Sequence, residues 1–367
     1  MDRIVNYKIG NTGKLNTIEL LRFPLAILVI WIHSQFGNDI LISHPLLMTE
    51  SMVFGKLLGR LAVPTFFFIS GYLFFYGKEW NMAVYREKIK KRFRTLFIPY
   101  IIWNGLAILF LFLIQRLHLV SADKMVADYG LTDYLYSFWA SGLINGASLW
   151  EINYTANVSM WFIRDLICMV LLTPFLYYLL TKRRILPITL IGLLWVLDIP
   201  SLPGLMWVSL FWFMFGSWLS INKFDLEDFI KKAIGCVFYY ILPLYLISCA
   251  IAIHAYLSNL GYMLIAFNFT ILFGCPLLLY IAKFISDKGF SISSSFSKST
   301  FMVYASHIFI VTIMMGGTKR YTNSDMMLSV IYLLAPAICC LIIVPINLFI
   351  DKWCPRLNSV ICGGRTA

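Results

Sequence analysis

The first apolar stretch, Ile18 to His33, contains three side chains that do not belong in hydrocarbon: Glu19, Arg22 and His33. Placing an arginine at the centre of a membrane helix costs about 2.5–3.5 kcal/mol on insertion scales, so a retained one points to function. Arg22 and His33 are eleven positions apart. On a helix that is about three turns, which puts both on one face and separates them by roughly 16 Å. Such a face offers a cation that could hold an anion at one end and an imidazole that could move a proton at the other. A plainer reading is that Glu19 and Arg22, three positions apart, neutralise each other, with His33 at the far interface. A second chemical cluster is the basic run with Lys91, Arg92 and Arg94 ahead of Pro99, and a third candidate is His307 in a late apolar segment.

These residues must be positioned by membrane helices. Of 367 residues 60% are hydrophobic and only 13% charged, more apolar surface than a soluble domain of this length can bury. Windows of about 20 residues mark about ten spans, near 15–37, 57–77, 95–115, 159–181, 185–200, 205–221, 233–256, 262–282, 300–316 and 326–350. The expected fold is an all-α, polytopic bundle, with the whole of 1–367 forming one integral membrane domain. The first stretch is too long for a signal-peptide core and lacks a small-residue cleavage site, so it reads as a retained helix.

With the N-terminus in the cytoplasm, 22 of the 30 Lys and Arg residues fall in inside segments and 5 in outside ones. That bias predicts cytoplasmic N- and C-termini. It accounts for the net charge of +12 without nucleic acid as a partner. Of the eight cysteines, none falls in an outer loop, so no structural disulfide is expected; Cys354 and Cys362 fall in a cytoplasmic tail, 351–367. The outer segment 116–158 is rich in aromatic and small polar residues, including Tyr134, Trp139, Asn145, Trp150, Asn153 and Asn157. It reads as an interfacial helix anchored by aromatics or as a sugar-stacking surface. The inner basic segment 78–94 suits anionic lipid headgroups or a phosphate-bearing cytosolic ligand.

Five segments in order resemble acyltransferase family 3, the integral membrane O-acyltransferases of bacterial envelope and secreted glycans. Arg22 and His33 match its arginine, ten intervening residues and histidine. Phe66–Phe74 resembles its aromatic Ser-Gly segment, and Lys91–Tyr100 its basic stretch leading into Pro-Tyr. Trp161–Leu166 is similar to the start of a middle helix, and Tyr304–His307 to a late histidine segment. One departure is visible. Many members have two arginines separated by two residues, whereas this chain has Lys91 and Arg94, and lysine supplies a point charge in place of a planar fork.

The resemblance implies a multi-pass protein of the bacterial cytoplasmic (inner) membrane that moves an acyl group, acetyl in the family's usual chemistry, from cytosolic acetyl-CoA to a glycan or lipid-linked sugar hydroxyl outside. Acetyl-CoA is then a co-substrate, with no bound cofactor. Such a reaction needs a base and a site that excludes water. The expected catalytic residues are His33 as base, Arg22, His307 and Glu19. The expected donor-binding residues are Arg22, Lys91, Arg92 and Arg94. His307 also suits a helix-to-helix hydrogen bond. Ser70 before Gly71 reads as close packing, Arg164 and Asp165 as a structural pair, and His44, His118 and His254 as interfacial. No metal site is expected from the spacing of His, Cys and carboxylates. The competing class is a transporter or exporter of a glycan intermediate, using the same intramembrane charges as a path.

Overall fold

A bilayer offers no water to backbone amides, so each apolar run must satisfy its own hydrogen bonds as a helix. The computed structural model describes residues 15–120, 124–148 and 154–364, and no strand occurs among the described residues. Among the described residues eight helices are long and apolar enough to cross a membrane and two apolar ones are shorter. In chain order they are α1 (Asn16–His33), α2 (Pro45–Phe75), α3 (Met82–Arg116), α4 (Val158–Leu180), α5 (Leu186–Val196), α6 (Trp207–Ile221), α7 (Leu226–Leu257), α8 (Met263–Asp287), α9 (Ser294–Tyr321) and α10 (Asp325–Trp353). The chain is an all-α polytopic membrane protein.

The ten apolar segments expected from the sequence are these ten helices, but α5 and α6 are short. At 11 and 15 residues they are about 16 and 22 Å long, against about 30 Å of hydrocarbon. α6 is instead held by close packing on α2. A methyl on Gly71 would collide with the carbonyl oxygen of Phe213, and one on Gly216 with that of Phe68. Two helices brought backbone to backbone in this way gain dispersion contacts that lipid cannot supply. Gly71 is therefore a packing residue, as the sequence suggests.

α1 and α9 run side by side in the same direction. Phe23 meets Phe296 with ring centroids 4.9 Å apart, and ten residues further along α1 His33 meets His307. The start of α1 is fixed by Glu227 of α7. Its Oε2 accepts from the Thr17 hydroxyl at 2.6 Å and its Oε1 from the Thr17 amide at 3.2 Å.

In the outer segment, helix Leu131–Trp139 buries its polar side and exposes its apolar side. Asp133 and Ser137 are buried, while Leu131 and Leu135 are 79% and 61% exposed. Lys124 pairs with Asp133 at 2.7 Å, and the Phe138 carbonyl accepts from Tyr100. This orientation fits the interfacial-helix reading. Asn157 is buried and so cannot belong to a sugar-stacking surface. Trp150 and Asn153, like residues 1–14 of the N-terminus, lie outside the described residues.

The expected tail is folded onto the bundle. After α10, a short helix α11 (Pro355–Ile361) turns back on α3, where the Trp103 indole donates to the Ile361 carbonyl at 2.9 Å. Cys362 is buried within 3.7 Å of Asn347 Oδ1, whereas Cys354 is exposed. All eight cysteines are free thiols.

Candidate functional site

Two imidazoles meet between α1 and α9. The rings of His33 and His307 are 5.3 Å apart at 37°. His307 Nδ1 lies 3.0 Å from the carbonyl oxygen of Val303. A carbonyl only accepts, so Nδ1 carries a hydrogen, and in the neutral ring Nε2 then keeps its lone pair. That Nε2 is buried and has no partner among the described residues. His33, the last residue of α1, is half-buried. The pair thus contains a neutral base nitrogen next to a second imidazole that is more accessible.

The segment of α9 before His307 is locked in place. Tyr304 donates to the Ser159 carbonyl, Asn157 Nδ2 to the Ala305 carbonyl at 2.9 Å, and the Asn157 amide to Asn104 Oδ1 at 3.1 Å. These bonds tie α9, α3 and the start of α4 together, and a base whose backbone cannot shift keeps its aim.

A cavity of about 680 Å³ begins beside the basic end of α1. Arg22, Arg92 and Lys298 converge on it with Glu19 and Ser70. Its apolar walls include Phe66, Phe162 and Phe301, and it reaches Tyr304, one helical turn before His307. Phe162 packs edge-on against Phe67 at 4.7 Å and against Tyr304 at 5.9 Å, so the inner end is aromatic. Glu19 and Arg22 share this cavity but form no ion pair with each other among the described residues. Glu19 acts on Arg22 through charge without closing the ion pair that their spacing allows, so the guanidinium still faces the cavity.

The basic trio is divided. Arg92 faces the cavity with Arg22, whereas Lys91 and Arg94 line a separate groove of about 580 Å³ between α3 and α11. Helical geometry explains the split. Residues three apart share a face, while adjacent ones lie about 100° apart around the axis.

A family model described as an acyltransferase domain, that of acyltransferase family 3, matches residues 15–345. The chain belongs to acyltransferase family 3. A similar protein is the succinoglycan biosynthesis protein ExoH of Rhizobium meliloti, 26% identical over 215 residues, which are 57% of this chain and 55% of that protein. The chain therefore aligns with about half the length of this relative. No solved structure matches it.

In this family member Arg164 and Asp165 form a buried ion pair. Both are buried; Arg164 Nε and Nη2 donate to Asp165 Oδ1 at 3.0 and 2.8 Å, Ser209 donates to Oδ2 at 2.9 Å, and the Gly204 amide to Oδ1 at 3.1 Å. Arg164 also donates to the Trp139 carbonyl. With every oxygen bonded, the buried charges join α4, α6 and the outer segment. His44, His118 and His254 sit at or beyond helix ends. No group of three or more His, Cys, Asp or Glu suited to a metal occurs among the described residues.

Three contributors were not read as site residues from the sequence: Tyr304 entered only with the late histidine segment and Asn157 only with the outer segment. Lys298 is one lysine among many in a polar segment, Tyr304 one aromatic among many, and Asn157 one of several outer asparagines. Lys298 and Tyr304 come to the site on α9 and Asn157 at the start of α4, so their meeting with Arg22 and Asn104 is set by contact between helices and not by spacing within one.

Outside the spans, His44 and Asp133 have shifted pKa values. Carbonyl oxygens of Ile40 and Asn323 at both nitrogens of His44, at 2.7 and 2.9 Å, hold it protonated to higher pH than usual. Lys124 and the Gly130 amide hold the Asp133 carboxyl below the usual carboxylate range.

Proposed function

We propose that this membrane acyltransferase moves an acetyl group from acetyl-CoA to a sugar hydroxyl of an envelope or exported glycan, or of its lipid-linked precursor. The observation that carries this reading is the cavity that gathers Arg22, Arg92 and Lys298 at one end and runs toward the His33–His307 pair at the other. Three cations suit the phosphates of the donor, and the roughly 16 Å between Arg22 and His33 along α1 sets the thioester far from them. Lys91 and Arg94 lie outside this cavity, so the donor phosphates are assigned to Arg22, Arg92 and Lys298.

At the inner end, His33 accepts the proton of the acceptor hydroxyl as its oxygen attacks the thioester carbonyl. The tetrahedral intermediate collapses, the carbon–sulfur bond breaks, and the leaving thiolate takes the proton from His33 to give free CoA thiol. His307, with its lone pair on Nε2, assists the proton movement beside His33. Glu19 sets the position of Arg22 through charge. The aromatic walls keep water from the thioester. The basic end faces the cytoplasm of a bacterial inner membrane and the histidine end faces outward, as the charge bias requires. The donor then stays inside and the acceptor outside.

The test uses purified protein with acetyl-CoA and candidate acceptor glycans. Thiol release that depends on both acceptor and His33, with a mass gain of one acetyl on the glycan, is the expected outcome. No release with any acceptor, combined with lost glycan export in cells lacking the protein, would favour an exporter.

A further inference from the structure

The groove that takes Lys91 and Arg94 away from the donor cavity has its own chemistry. It is lined by Lys90, Lys91, Arg94 and Thr95 of α3 on one side and by Ser359 and Gly363 of the folded tail on the other. Its one carboxylate, Glu87, is already paired with Lys78 at 2.8 Å. None of the three cations forms an ion pair among the described residues, although Lys91 is close enough to Glu87 to act on it through charge. The Thr95 hydroxyl oxygen is buried and has no hydrogen-bond partner among the described residues. The groove therefore gathers three cations that form no ion pair, and a bound phosphate would neutralise them.

Its depth in the membrane identifies the kind of phosphate. The groove sits where the polar start of α3 meets the segment Ile98–Arg116, whose 19 residues span about 28 Å, close to the hydrocarbon thickness. Phe93 and Phe97 stack at 5.0 Å beside Arg94 and are 55% and 39% exposed. Across the groove, α11 exposes Leu357 and Val360, and Trp353 ends α10 with its ring exposed. Cations in a cleft flanked by outward-facing aromatic and aliphatic side chains match a lipid, with its phosphate in the cleft and its chains along the apolar flank. A soluble phosphate would have no use for the flank.

We propose that this groove binds the headgroup of an anionic phospholipid of the leaflet at the basic end of the bundle, and that the lipid clamps α11 to α3. The site is separate from the donor cavity, since Arg22, Arg92 and Lys298 line the latter and none of them lines the groove.

The experiment is native mass spectrometry of the full-length protein in detergent, titrated with phosphatidylglycerol and, separately, with phosphatidylcholine. The wild type should keep phosphatidylglycerol in preference to phosphatidylcholine. The triple variant K90Q/K91Q/R94Q should lose that preference, its affinity falling roughly tenfold or more, since each cation near a membrane surface contributes substantially to binding acidic lipid. Ser359→Trp, which fills the groove from the tail side without changing charge, should lose it too, which keeps the test valid if the triple variant does not fold. Arg92→Gln should keep the lipid. Equal retention by wild type and both groove variants would overturn the proposal. So would displacement of the lipid by glycerol 3-phosphate or coenzyme A at millimolar concentration, which would make the groove a site for a soluble phosphate.

Discussion

His33 and His307 stand on parallel helices with their ring centroids 5.3 Å apart, and the second has its Nδ1 hydrogen committed to the Val303 carbonyl. The free Nε2 of His307 therefore lies in the same small volume as the more accessible His33 ring. Replacing His33 by Ala should lower turnover about 10²- to 10⁴-fold, the usual contribution of a general base, with little change in donor binding. His307→Ala should also lower turnover, and the double variant should be no worse than His33→Ala, because groups acting as a unit are not additive. Kinetics of the two single variants and the double variant test this; multiplicative losses would mean that the two imidazoles act separately.

Two of the cavity cations, Arg92 and Lys298, should separate by depth. Arg92 is partly buried, while Lys298 lies exposed at the rim. Replacing Arg92 by Gln should raise the half-saturating acetyl-CoA concentration by roughly tenfold or more, the worth of a charge-assisted hydrogen bond. Lys298→Gln should raise it less. The Lys298 effect should fade in high salt, because exposed charges are screened over about 8–10 Å. Initial rates against donor concentration at two ionic strengths measure both effects.

Asp165 should matter for stability before activity. Asp165→Asn leaves Arg164 buried without its counter-charge, and breaking a buried pair costs about 3–5 kcal/mol. A large drop in melting temperature in detergent is expected. A stable variant with lost activity would move the pair into the reaction.

His44 supplies a pH-dependent tether at the start of α10. Both ring nitrogens face carbonyl oxygens, of Ile40 and Asn323, and those can only accept, so the ring is held as an imidazolium. Its folded pKa is raised above 6.5. The stabilisation is fully present below pH 6.5 and is lost as pH rises through the folded value. Thermal unfolding of wild type and His44→Ala should therefore differ most at pH 6 and converge at pH 9; an equal difference at both would remove the tether.

The sequence read alone carried the architecture. Long apolar runs have one solution in a bilayer, so ten helical segments could be placed, and only the shortness of α5 and α6 needed the structure. It also carried the shared face of Arg22 and His33, since spacing along one helix sets angular position. Gly71 was legible as a packing residue, though its partner Gly216 was not.

What the sequence alone determined about this protein is whatever a single helix decides: membrane length, the face on which Arg22 and His33 both lie, and the family signature across 15–345. Only the tertiary structure decided which residues from different helices meet. It set His307 beside His33, brought Lys298 to Arg22 and Arg92, sent Lys91 and Arg94 to another groove, and folded the tail over that groove. The reason is physical. Periodicity is fixed by local backbone geometry, whereas contact between helices depends on packing of close-approach residues such as Gly71 and Gly216, and no one segment encodes that by itself.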